Sequence, residues 1–245
     1  MIWRPDKMVC EYQIEGVKIR EEKFIGANDA AASIITSSEP VILQFTGHSF
    51  YVRHSVSSSA KIKYNTDRNV LLITEGGTVT SKPDPDGPDR VGPCVYQGMT
   101  TAHSSSRDFS KTLALSTGAK GEKKYSFEIP CDHNGVTVSW AMHDNENTAL
   151  KGAQDIINKN SKMLLDKTTE MNQLLSEQIP QFRCSDSKFE DIYYYLWSIY
   201  LMYYIDVQQG WEIENHTQSA VNNFLGIHRY DACFQIKVGA WIRDK

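Results

Sequence analysis

The apolar residues keep a period of two in the first part of the chain and a helical period in the rest, and the change falls at Asp144-Asn145-Glu146-Asn147-Thr148. Side chains alternate faces along a strand but return to one face every three or four positions along a helix. A segment written in one period therefore cannot bury its apolar side in the other conformation. A β domain followed by helices is expected.

Residues 1–143 read as an antiparallel β-sandwich. Tyr12 to Glu15 and Val17 to Arg20 alternate apolar with polar around Gly16, which permits a bend. Further strands are expected at residues 41–45, 50–54, 60–64, 70–74, 111–115, 124–129 and 136–140. Turn chemistry divides them at Gly47, at 65–69, at Gly76-Gly77, at 118–121 and at Asn134-Gly135. Residues 81–107 read as one long irregular segment because they include KPDPDGPDRVGP, whose prolines cannot donate to a ladder. Loops of that length are uncommon in compact domains. This one is either a surface excursion or a loop that reaches a neighbouring domain.

Residues 144–180 read as a helical linker. Ala149, Ala153, Ile156 and Ile157 hold one helical face, while Leu164, Met171, Leu174, Leu175 and Ile179 hold another. The polar run 158–162 is expected to break the helix, and Pro180 to close it. The apolar positions do not keep a heptad long enough for a coiled coil. From 181 to 245 a third region begins. Ser185-Asp186-Ser187 offers capping side chains, and residues 189–204 follow with almost no polar interruption. A helix apolar on every side needs neighbours on every side. Its tyrosines either pack with their hydroxyls at the rim or line a sugar cleft, and packing is the commoner use. A polar crossover at 208–227 leads into a second apolar helix at 230–242.

Charge and composition exclude several classes of function. A balance of 26 basic against 30 acidic residues, net −4, gives no field for holding nucleic acid. Cys10, Cys94, Cys131, Cys184 and Cys233 are widely spaced and odd in number, which suggests neither a zinc ribbon nor a disulfide framework. The N-terminal residues lack a signal-type apolar core and no run is long enough for a bilayer, so a cytoplasmic protein without membrane association is expected. The sequon Asn215-His216-Thr217 would matter only in a secreted chain. With no phosphate loop, nucleophile elbow, dinucleotide fingerprint or metal-spaced histidine pair, neither a cofactor nor a metal is expected. His48, His54, His103, His133 and His143 read as surface or hydrogen-bonded residues, and Cys233 near His228 as an inert thiol in an apolar helix.

One constellation stands apart. His228-Arg229-Tyr230-Asp231 gathers three hydrogen-bonding side chains and an aromatic ring where a loop becomes a helix. Carboxylate and guanidinium groups recognise neutral polyols directionally, with a ring beneath the sugar's apolar face. An Asp at a helix start also has a purely structural use, against the helix dipole.

A sandwich, a helical linker, QIPQFRCSDSKFEDIYYYLWSIYLMYY and then NNFLGIHRYDACFQIKVGAW together resemble the opening of an (α/α)6 toroid of the six-hairpin glycosidases. The likeness is closest to the inverting clan with trehalase, processing α-glucosidase and mannosylglycerate hydrolase-like proteins. Such enzymes carry an aromatic-Asp-small-x-aromatic motif, usually with Trp first, between the first two barrel helices. Tyr230-Asp231-Ala232-Cys233-Phe234 matches it with Tyr in place of Trp. The resemblance implies that Asp231 binds hydroxyls of a carbohydrate substrate, with Arg229, Tyr230 and His228 as companions. It also implies that the catalytic acid and base lie beyond Lys245, so the chain alone is expected to be inactive. The alternative is a non-catalytic carbohydrate-binding or scaffold protein. Either way, a protein partner or a further C-terminal domain is expected to cover the helix at 189–204.

Overall fold

The computed structural model describes residues 2–27, 29–49, 60–79, 94–118, 122–205, 216–217 and 229–242. Contacts divide the chain into two units, Met1–Lys167 and Thr168–Lys245. The first unit holds β1 (Ile2–Trp3), β2 (Met8–Ile14), β3 (Val17–Ile25), β4 (Ala30–Ser37), β5 (Val41–His48) and β6 (Lys61–Asn65). After these come β7 (Val70–Val79), β8 (Cys94–Ser105), β9 (Ala114–Thr117), β10 (Lys123–Cys131) and β11 (Val136–His143). Helix α1 (Glu146–Gln173) starts in this unit and ends in the next.

The strands form an eight-stranded sheet in the order β1-β2-β3-β4-β11-β8-β7-β6 and a three-stranded sheet in the order β5-β10-β9. Every pairing in them is antiparallel. Between the sheets lie Ile35, Leu71, Ile73, Phe109, Phe127, Ile129, Val136 and Val138. The Phe109 and Phe127 rings stack with centroids 4.3 Å apart. The sandwich followed by helices agrees with the fold class expected from the change of period.

The other face of the large sheet is built differently. Ala30, Ala32, Ala102 and Ala141 make a floor of small side chains, on which α1 lays Ala149, Leu150, Ala153 and Ile156. Small residues let the helix backbone approach the sheet, and two polar contacts fix it there. Ser139 Oγ donates to the Ala153 carbonyl at 2.8 Å, and Asn160 Nδ2 donates to Thr137 Oγ1 at 2.7 Å. Asn145 caps α1, its Oδ1 accepting from the amides of Asn147 and Thr148 at 2.9 and 3.1 Å. The helix kinks at Lys159 (φ −125°, ψ 17°), inside the polar run expected to break it. A π turn (Leu174–Gln178) and extended Ile179 bring the chain to Pro180.

Several expectations are corrected. Strand β4 falls where no strand was expected, since AAASIITS looks poor in strand formers. Ala30 and Ala32 form part of the floor under α1, where small side chains are needed. Strand β8 lies within the supposed irregular segment and runs between β7 and β11 in the large sheet. Proline and glycine just ahead of it hid a strand whose helix-facing residues, Thr100, Ala102 and Ser104, are small and buried. Residues 81–93 and the strand expected at 50–54 lie outside the described residues. The strand expected at 111–115 is shifted to Ala114–Thr117, because the Thr112 amide turns back to the Phe109 carbonyl at 3.2 Å.

One residue organises the end of the sandwich. Asn69 takes a left-handed backbone (φ 49°), which asparagine tolerates better than most residues. Its Nδ2 donates to the carbonyls of Ser105 and Arg107 at 3.1 and 2.9 Å, and its Oδ1 accepts from Tyr64 Oη at 2.8 Å.

The second unit contains α2 (Ser187–Met202), the short paired strands β12 (Tyr204–Ile205) and β13 (His216–Thr217), and α3 (Arg229–Gly239). Asp186 caps α2 by accepting from the Lys188 amide at 3.0 Å. Glu190 reaches back to the Cys184 amide at 2.9 Å and to Arg183 at 3.1 Å. Those contacts hold the Glu190 carboxyl below its ordinary pKa, the Cys184 hydrogen bond most of all. Among the described residues no helix is long and apolar enough to cross a membrane.

Candidate functional site

Helix α3 begins at Arg229, so Arg229, Tyr230 and Asp231 occupy its first turn. Acidic residues are favoured there by the helix dipole. His228 lies outside the described residues, as do the side chains of Arg229, Tyr230, Asp231 and Cys233. The backbone nevertheless fixes the register of the motif. Asp231, Gln235 and Gly239 stand four residues apart, on one face of the helix.

That face is held by α2. Tyr200 Oη donates to the Gln235 carbonyl at 3.2 Å. A side chain at position 239 would strike the same hydroxyl, its Cβ falling 2.5 Å away, so glycine is what permits the approach. Tyr200 in turn ends a run of rings at helical spacing. The Tyr200 and Trp197 rings meet edge-on at 5.7 Å, Trp197 and Tyr193 at 6.4 Å, and Tyr193 lies 5.0 Å from Phe182. Trp197 is only 7% exposed.

The hydroxyls of this cluster have structural partners. Tyr193 Oη donates to the Pro180 carbonyl at 2.6 Å, and Tyr194 Oη donates to Gln181 Oε1 at 3.2 Å while accepting from the Phe182 amide at 3.3 Å. Rings bind α2 to the chain ahead of it and to α3, which favours packing over a sugar-lining role for these tyrosines. The neighbouring stripe of α2 is different. Phe189, Ile192 and Leu196, spaced three and four residues apart, are 61%, 51% and 57% exposed.

Asp186 is occupied as the cap of α2, while Asp206, Glu212 and Glu214 lie outside the described residues. No cluster of three or more His, Cys, Asp and Glu able to hold a metal occurs among the described residues.

In the first unit an open groove of about 670 Å³ is lined by Lys61, Lys63, Lys123 and Glu146 among others. Lys63 faces Glu146 at 3.8 Å and Lys123 Nζ donates to Thr117 Oγ1 at 2.9 Å, so its charged groups do not converge on a common point. A second feature of this unit escaped the sequence reading. His103 Nε2 and Tyr125 Oη meet at 3.2 Å between the two sheets, joining β8 to β10. The inward phase of His103 could be seen only once β8 was recognised as a strand.

No family profile and no curated protein matches the chain. Among solved structures it is similar to a protein from the human microbiome provisionally described as a kojibiose phosphorylase. The identity is 13% and the TM-score 0.49, over 81% of this chain and 27% of that one. The chain thus spans about a quarter of that protein's length.

Proposed function

We propose that this chain is a glycoside-hydrolase-like, carbohydrate-active protein that holds a sugar at the start of α3. The observation that carries the reading is the motif Tyr230-Asp231-Ala232-Cys233-Phe234 on the first turns of a helix that follows a sandwich and a first apolar helix. In this reading α2 and α3 are the first hairpin of a six-hairpin toroid of the inverting clan. The Asp231 carboxylate accepts from sugar hydroxyls, Arg229 and His228 add directional donors, and the Tyr230 ring lies against the sugar's apolar face.

Inverting hydrolysis needs a carboxylic acid on the leaving oxygen and a carboxylate that activates water, roughly 6.5 to 9.5 Å apart. No pair of carboxylates in this chain is assigned these roles. The proposed activity of the 245-residue chain is therefore binding without turnover. Titration calorimetry with gluco- and manno-configured disaccharides of both anomeric linkages tests it. The wild-type chain is expected to bind at least one of them, and Asp231→Ala to weaken that binding by about tenfold or more, the loss of one charge-assisted hydrogen bond. Equal binding by Asp231→Ala, or binding of none of the sugars, overturns the reading.

The exposed Phe189, Ile192 and Leu196 stripe favours a second reading, a scaffold protein whose helices are completed by a partner. Self-association that disappears in Ile192→Glu, with no sugar bound by either form, would support it over the first.

A further inference from the structure

We propose that His103 and Tyr125 form an acid-sensitive clasp between the two sheets of the sandwich, so that protonating the imidazole loosens β5, β10 and β9 from the large sheet. The geometry of the pair carries this. His103 sits on β8, opposite Leu71 of β7 and Trp140 of β11, and its ring meets the Tyr125 ring of β10 at 5.0 Å. Tyr125 lies over Gly47 of β5, where any side chain would collide with its hydroxyl, and stacks on Phe127 at 6.0 Å. The tyrosine is therefore seated against its own layer.

Among the described residues, the groups that face His103 are neutral. From β10 it is Tyr125, from β7 Leu71 and from β11 Trp140, while Gly47 of β5 backs the tyrosine. Among the described residues no carboxylate lies within ion-pair distance of the imidazole. Burial lowers the His103 pKa from its ordinary 6.5 to about 4 and raises that of Tyr125, so both are neutral at pH 7. Neutral Nε2 accepts from the tyrosine hydroxyl, or donates to it in the other tautomer. Once both ring nitrogens are protonated, a charge is held beside Leu71, Tyr125 and Trp140 with no counter-charge among the described residues.

The sign follows from the lowered pKa. In the unfolded chain the imidazole takes up a proton near pH 6.5, whereas the folded protein resists until about pH 4. Stability is thus complete above 6.5 and falls as pH drops through that interval. Carboxylates held at low pKa, such as Asp108, Asp132, Glu22 and Glu190, add their own losses at the acid end. The interval from about pH 5 to 6.5 lies above most of those losses, and comparison with a variant at position 103 separates His103 from the other six histidines.

Chemical denaturation and amide hydrogen exchange of the whole chain, at steps from pH 7 to pH 5, test the clasp. In the wild type the folded-to-unfolded ratio is expected to fall by up to about tenfold per pH unit below 6.5. Protection should be lost first in β5 and β10. His103→Gln keeps a hydrogen-bonding group but cannot titrate, and should remove that slope. A slope in His103→Gln equal to the wild type overturns the proposal. If that variant does not fold, an NMR titration of the wild-type imidazole decides: a ring still neutral at pH 5 supports the clasp, and one titrating near 6.5 overturns it.

Discussion

Helices α1 and α2 invert the usual link between apolar content and burial. Helix α1 is rich in Lys, Asp, Asn and Gln, yet its stripe of Ala149, Ala153 and Ile156 is completely buried. Helix α2 is mostly apolar or aromatic and still leaves Phe189 and Leu196 more than half exposed. The difference lies in what each helix meets. The alanine floor of β4, β8 and β11 is complementary to α1, so a narrow stripe suffices. Helix α2 has one such surface, the ring face of Tyr193, Trp197 and Tyr200, and a second apolar stripe without one among the described residues. Apolar content predicts that a helix wants a partner, but the opposing surface decides how much is buried.

Substitutions at matched isoleucines would break this comparison if it is wrong. Ile156→Ala on α1 should have the largest effect, about 2–5 kcal/mol, because the cavity opens against a well-packed floor. Urea denaturation followed by the far-UV signal of the sandwich would read it, and a loss below about 1 kcal/mol would show that the floor is not tightly packed. Tyr193→Phe should be intermediate, about 1–2 kcal/mol, since it leaves the ring in place but strands the Pro180 carbonyl. Amide exchange along α2 would report it, with faster exchange throughout the first turns of the helix. Ile192→Ala on the exposed stripe should change stability by no more than about 0.5 kcal/mol in the same measurement. A cost comparable to Ile156→Ala would mean that this stripe is packed in solution.

The sequence was informative where local chemistry and global fold agree. Alternation exposed β3, β5 and β10, a continuous apolar run exposed β7, and the capping residues before α2 marked its start, with Asp186 found in that role. The break in α1 was legible because Asn158 to Lys162 are polar on every side, although only Lys159 leaves the helical region. It failed at β4 and β8 for a shared reason. Both carry small residues on the face that receives α1, and a strand patterned by alanine, serine and threonine has no apolar alternation to read. Asn69 was legible as a turn residue, but its bonds to Ser105 and Arg107 join positions too far apart for spacing to reveal. At the candidate site, sequence supplied the motif around Asp231, and the structure added the first turn of α3 and the face shared with Gln235 and Gly239.

By itself the sequence determined the division into a β part and a helical part, because side-chain period is a local property that a chain cannot disguise. It also determined which residue types stand together at the start of α3. Only the tertiary structure decided that the alanine-rich segment is a strand, that half of α1 belongs against the sheet, and that His103 faces a tyrosine from the other layer. Those outcomes depend on which surfaces meet, and complementarity between distant segments is written in no single stretch of the chain.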